Sequence, residues 1–486
     1  MPGTDDLLIG EVFANAARAV PHRVAAVSGD RTLTFGALEA RSNQLVGVLG
    51  SMGIGRGSRV VLWSGTELDS VPLFAALSKL GALFIPVNGL LGPDEAAEIV
   101  SGCHPHLLVT DGGRAVPPGA PTSTTLDDLG ALADGRDTAP VDVDDLSGTD
   151  PHVAFFTSGS TGSPKGAVLS HATNYLRTHP GALLEPRGAM VCPYPLFHMG
   201  AWTIALQQWQ ARDAVILLDS TGAEEICEAV ARHHATRINC VPAIWQRIID
   251  HLDSSAGHPL SSIRFADTGT SETGVDFLMA IERTVPQAHL RVFYGSTEAG
   301  SVACLDHADI RRKPGSCGPP APGVKIRVSP DGELSVSGAL LFDGYLDDPD
   351  ATSACLVDGW YRTGDLARED DDGFLRIMGR TGDLVRTGGE SVVPAEVEAV
   401  LAGHPGVREV AVLGLPDPTW GEMVCAVIVT VPDAPTPTLA SLRELCAGRL
   451  APFKHPRRVE VVDSLPRTPA TGQVRRGALA ERLRGG

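Results

Sequence analysis

Short apolar runs alternate with longer amphipathic stretches through the first two thirds of the chain. RVVLWSG precedes Asp69 to Gly81, ALFIPV precedes Pro93 to Ser101, and AVILLD precedes Ala223 to His234; HLLVTD and RINCVP are further runs of the same kind. Apolar strands interleaved with helical segments predict parallel sheet covered by helices on both faces. After about Lys313 the pattern shortens to VKIRVS, GELSVSG and GFLRIMG, broken by Asp-Gly turns, which reads as a small all-β subdomain. From Val385 the pattern becomes mixed, with helices over Pro394 to Ala402 and Leu439 to Leu450 and strands at VREVAVLGL and MVCAVIVTV. That is an α+β module of about 100 residues.

Composition narrows the classes. The 486 residues suffice for roughly three modules. A formal charge of −18 argues against nucleic acid as partner, since phosphate neutralisation needs clustered Lys and Arg. The most apolar window, Val71 to Leu91, is interrupted by Lys79 and Pro86, which is too broken for a membrane span. Nine cysteines without a C-x-x-C pair suit neither a disulfide framework nor a zinc site, so a reducing cytoplasm is expected. The N-terminus carries early acids in place of a basic signal region.

Candidate chemistry begins at Thr157 to Gly166, TSGSTGSPKG. Glycine permits close backbone approach, N–H groups and hydroxyls donate to phosphate oxygens, and Lys165 adds charge. An apolar run, Val153 to Phe156, leads in, and Ala167 to Arg177 reads as a strand end and then a helix. Strand, glycine-rich turn and helix form the usual phosphate setting, although Pro164 stands where the P-loop motif has glycine. A flexible Ser/Gly linker is the competing reading. Three further strings carry nucleotide-type polar groups: YGSTEAG at Tyr294 to Gly300, YRTGDL at Tyr361 to Leu366, and GRTGDLVRTGGE at Gly379 to Glu390. A carboxylate near phosphates holds Mg²⁺ and one near ribose accepts its hydroxyls, roles that suit Glu298 and Asp365. Taken singly, S-T-E also reads as a helix cap and T-G-D as a surface turn.

Together and in this order, the strings resemble the adenylate-forming superfamily of acyl-CoA synthetases, nonribosomal-peptide adenylation domains and luciferases. The resemblance implies an α/β fold: a large N-terminal domain of two doubly wound sheets plus a small β-barrel subdomain over residues 1–380, then a small mobile α+β C-terminal domain over 381–486. The implied reaction has two steps. A carboxylic acid attacks ATP to give acyl-adenylate and pyrophosphate, and a thiol then takes the acyl group. Carried onto matching positions, Thr157, Ser158, Gly159, Ser160, Thr161 and Lys165 would hold the phosphates. Tyr294 and Gly295, with Gly269 on its small strand, would flank adenine. Thr297 would contact the α-phosphate, Glu298 would hold Mg²⁺, and Asp365 and Arg380 would bind ribose. His198, Met199, Trp202 and Trp245 would border the acyl pocket, although a lone His is commonly structural and Met and Trp commonly core. Gly388, Gly389 and Glu390 resemble the loop lining the pantetheine tunnel of coenzyme A. Gly382 and Asp383 fall at a hinge near 380–383.

One departure matters most. The family typically ends in P-R-T-x-x-G-K, whose lysine reaches the carboxylate and α-phosphate during adenylation; here LPRTPATGQVRR places Gln473 there. Three readings follow. The chain forms acyl-CoA from acyl-adenylate supplied by a separate adenylating enzyme; or it is a complete ATP-dependent ligase in which Arg475 or Arg476 supplies the charge; or it is an inactive acyl-adenylate binder. A free-standing carrier protein is an alternative thiol donor to coenzyme A.

Overall fold

The computed structural model describes residues 6–484 except 115, 117–121, 141, 142, 144, 158–163, 183–187, 255–259, 270–272, 433 and 468–473. The chain divides into two compact units, residues 1–325 with 336–361 and residues 326–335 with 362–486.

The first unit is α/β, as the alternating pattern predicts. One sheet has eight strands in the order Gly300–Leu305, His289–Ser296, Phe265–Gly269, Arg237–Asn239, Met190–Cys192, Val215–Leu217, Val24–Ser28, Arg31–Thr34. Its interior neighbours are parallel, with Ala266 opposite both Ile238 and Leu290. The second sheet has seven: Gly344–Tyr345, Lys165–Ser170, Pro151–Thr157, Leu83–Asn88, Arg59–Ser64, Leu107–Thr110, Ser123–Thr125. The runs RVVLWS and LFIPVN are buried along nearly their whole length because helices cover both faces, which explains why they lack period-two alternation. Helix Ser70–Leu80 is apolar all round and almost wholly buried; it ends on Gly81, whose φ of +65 supplies a left-handed cap. Phe74 from this helix stacks on Trp202 with ring centroids 4.3 Å apart, and Phe84 meets Trp202 edge-on. Beneath this layer His152 and His171 lie with centroids 4.6 Å apart.

One local outcome follows the sequence expectation and one differs from it. Ala167 to Arg177 is a strand end and then a helix, as the sequence predicts: Lys165–Ser170 pairs antiparallel with Pro151–Thr157, Thr157 opposite Lys165, and the helix begins at His171. Strand Lys165–Ser170 therefore stands between Lys165 and the positive end of the helix dipole. Gly344–Tyr345, placed by the pattern in the small β subdomain, instead adds to the edge of this hairpin, with Tyr345 opposite Ala167.

In the second unit, strands Val407–Asp417 and Gly421–Thr430 form a long antiparallel pair extended by Val385–Thr387, Glu390–Val392 and Arg458–Val461. Alternate positions fill opposite faces. Val412, Val424, Ala426 and Ile428 pack with Val397, Leu401 and Leu442 from helices Pro394–Leu401 and Leu439–Cys446. Leu413, Cys425, Val427 and Val429 pack with Leu479 of helix Arg476–Arg484. Helix Leu439–Cys446 stops short of the expected Leu450.

Candidate active site

Glu298 lies just before the tight entry into strand Gly300–Leu305, where Gly300 has φ +70. Its side chain is buried at 8 % exposure. Oε1 accepts from the Tyr345 hydroxyl at 3.0 Å, and the Thr157 hydroxyl stands at 3.5 Å, a weak contact at best. The backbone around it is fixed by Arg177, which sequence reasoning did not single out. Nε donates to the Leu340 carbonyl at 2.8 Å, Nη1 to the Thr297 carbonyl at 2.8 Å and Nη2 to the Glu298 carbonyl at 2.9 Å. Burial lowers the Arg177 pKa to about 10. A side chain at position 300 would place its Cβ 3.1 Å from Nε of Arg177, so the glycine serves both the turn and the clamp.

Thr157 and Lys165 pair across the hairpin, and the Lys165 ammonium lies 5.3 Å from the Tyr345 ring centroid. Ser158, Gly159, Ser160 and Thr161 lie outside the described residues. The residues present fit a magnesium ion bound together with phosphates. Glu298 offers one buried carboxylate whose Oε2 has no partner among the described residues, and no cluster of three or more Asp, Glu, His or Cys that could enclose a metal exists among them. Magnesium is commonly held in that manner, by one or two carboxylates plus substrate phosphates.

The residues expected beside adenine sit on adjacent strands. Tyr294 and Gly295 end His289–Ser296, at an irregularity in its pairing. Gly269 stands opposite Phe293, and a Cβ there would fall 2.1 Å from the Phe293 carbonyl oxygen, so only glycine admits this approach. Thr268 and Asp267 are buried, and Asp267 pairs bidentately with Arg291 at 2.8 and 2.9 Å.

His198 caps helix Met199–Gln210. Its Nδ1 accepts the Gly200 N–H at 3.1 Å, which assigns the remaining proton to Nε2. Burial lowers its pKa to about 4, so the ring is neutral and Nε2 is a donor. Met199 is half-buried, with the Thr203 hydroxyl on its sulfur at 3.0 Å. Trp202 and Trp245 are both core-buried; their indole N–H groups are committed to the carbonyls of Leu196 at 2.5 Å and Asp267 at 3.1 Å.

In the second unit, Asp365 and Arg380 face each other on paired strands, joined by Arg380 Nε to Asp365 Oδ1 at 3.1 Å. Gly382 and Asp383 lie in a short 3₁₀ turn, and Asp383 is met by Arg476 at 3.4 Å. Gly388 and Gly389, at φ +60 and +85, make the two-residue turn between Thr387 and Glu390. Trp420, 41 % exposed, stacks over the first of these, and the Arg457 guanidinium lies 4.1 Å from its ring. Gln473 lies outside the described residues.

A family model described as AMP-binding enzyme matches residues 13–346, and one described as the AMP-binding enzyme C-terminal domain matches residues 396–471. The chain belongs to the AMP-binding enzyme family. It is 30 % identical to a long-chain-fatty-acid–CoA ligase, FadD13, of Mycobacterium tuberculosis, over 97 % of this chain and 98 % of that one. It is 31 % identical to a feruloyl-CoA synthase of Amycolatopsis, over 98 % and 99 %. Among solved structures it resembles ATP-bound MatB from Rhodopseudomonas palustris at TM-score 0.87 and 28 % identity, covering 98 % of this chain and 99 % of that one. Among the described residues, no helix is long and apolar enough to cross a membrane.

Proposed function

We propose that this family member is an acyl-CoA ligase-like enzyme that forms an acyl-CoA thioester from acyl-adenylate, with its own adenylation step weakened. The observation that supports the reading is Gln473 in LPRTPATGQVRR, the string that resembles the family's lysine-bearing C-terminal motif. In adenylation an acid oxygen bonds to the α-phosphorus and pyrophosphate leaves. Negative charge gathers between the two anions, and an amide donates a hydrogen bond there without a positive charge; losing one aimed electrostatic group costs ~10² to 10³ in rate. Bound magnesium would neutralise part of the phosphate charge from Glu298.

Thioester formation needs none of that. The thiolate of coenzyme A attacks the acyl carbon, the bond to the phosphate oxygen breaks, and AMP departs with the electron pair while the thiol proton goes to solvent. His198 supplies an Nε2–H donor beside the acyl group, and its Nδ1, taken by Gly200, is not a base. For the nucleotide of coenzyme A, the second unit offers Trp420 with Arg457 stacked on it. Lys454 and Arg458 are paired with Glu396 and Glu460, which leaves Arg457 and the indole face as the platform. Asp365 and Arg380 are assigned to ribose, and the turn at Gly382 and Asp383 to the pivot between residues 1–380 and 381–486. A separate adenylating enzyme would supply the acyl-adenylate.

The complete ATP-dependent ligase is the second reading, favoured by the likeness to ATP-bound MatB and by Lys165 and Glu298 standing in place. Arg476 is a poor substitute for the lysine, because it is committed to Glu398, Asp383 and the Val412 carbonyl. That reading therefore rests on Arg475. Supplying acid, ATP, Mg²⁺ and coenzyme A in one assay and synthetic acyl-adenylate with coenzyme A in another separates the two: the first reading expects turnover chiefly in the second assay.

A further inference from the structure

Tyr345 was not among the residues that the sequence singled out, yet it touches both charged groups of the phosphate corner. Its backbone is pinned to the hairpin, with Tyr345 opposite Ala167 and the Leu346 N–H donating to the Gly166 carbonyl at 2.7 Å. The Thr352 hydroxyl accepts from its N–H at 2.9 Å. Phe342 packs edge-on against the ring at 4.9 Å, and Tyr361 hydrogen-bonds the phenol. A side chain so held has little rotamer freedom. Its hydroxyl donates to Glu298 Oε1 at 3.0 Å while its ring face lies 5.3 Å from the Lys165 ammonium.

We propose that Tyr345 is a positioning residue for the magnesium-nucleotide site: its phenol fixes the Glu298 carboxylate by Oε1 so that Oε2 is presented to the cation, and its ring holds Lys165 alongside. The proposal rests on the reading that Glu298 and Lys165 serve a magnesium-bound nucleotide. A flexible carboxylate must be ordered each time a cation binds, and partners outside the ligand set that orient a ligand typically contribute about 10- to 100-fold in metal affinity. A tyrosine that only fills space would make no difference to the cation.

The test is calorimetric ATP binding to the full chain across a Mg²⁺ series and in EDTA. Tyr345→Phe keeps the ring and removes the donor. It is expected to raise the half-saturating Mg²⁺ about tenfold, to leave ATP binding in EDTA unchanged, and to regain the wild-type plateau at high Mg²⁺. Glu298→Gln is expected to lose the Mg²⁺-dependent increment at every concentration. Tyr345→His, which retains a ring and an N–H donor, should recover part of the loss, and compared with Tyr345→Leu it gives the same test should the Phe variant fold poorly. A Phe variant with the wild-type Mg²⁺ midpoint overturns the positioning role alone. A wild-type chain that binds no ATP under any condition overturns the nucleotide reading, and this one with it.

Discussion

Two arginines hold the two units' key turns in opposite ways. Arg177 in the first unit is buried and gives its three donor directions to neutral carbonyls, those of Leu340, Thr297 and Glu298. Arg476 in the second is 25 % exposed and is committed chiefly to two carboxylates, Glu398 and Asp383. Buried charge-assisted bonds to carbonyls are little affected by salt, whereas a half-exposed ion pair is weakened by it. The corner around Glu298 is thus built to be rigid, and the turn assigned to the pivot is held by contacts that are easily exchanged. A site that must be preorganised in the first unit and a turn that must change conformation in the second would call for this division.

The contrast is most exposed at Arg177. Arg177→Met keeps the stem and leaves buried carbonyls without donors, and should cost about 3 to 5 kcal/mol in urea unfolding. A loss below about 1 kcal/mol would show that the clamp is replaceable and remove the contrast. Gln473→Lys is expected to raise acid-dependent pyrophosphate release by ~10² and leave thioester transfer from preformed acyl-adenylate nearly unchanged.

A third prediction tests rigidity in the first unit through acid. His171, whose Nδ1 accepts the Ile9 N–H, has its pKa lowered to about 4 by burial, with Asp150 opposing, and burial takes His152 well below its ordinary value. A histidine held neutral in the fold binds protons more readily when unfolded. Its stabilisation is therefore complete above about pH 6.5 and is lost as pH falls toward 4, on the order of 3 kcal/mol for His171 alone. Thermal midpoints from pH 7 to 4.5 check this, and His171→Gln should flatten the slope. The smallest effect is expected at the other arginine: Asp383→Asn should change stability by less than about 1 kcal/mol, and by less still in high salt.

The layered α/β order and the second unit's alternating strands were legible because burial on both faces or on one writes a distinct hydrophobic period. The family was legible because glycine, hydroxyl and carboxylate cluster within a few residues in the strings that carry the resemblance. Tyr345 and Arg177 were not. Each acts on Glu298 from a distant part of the chain, and a lone tyrosine or arginine carries no local sign of the contact it will make. The turn at Gly388 and Gly389 was visible as a motif, but its backbone reason, positive φ at both positions, appears only once the hairpin is seen.

The central claim is tested most directly by single-turnover thioester formation with preformed acyl-adenylate and coenzyme A, set beside the full reaction from acid, ATP, Mg²⁺ and coenzyme A. The account predicts that the preformed intermediate reacts ~10² or more faster. Equal rates from both starting points would contradict it.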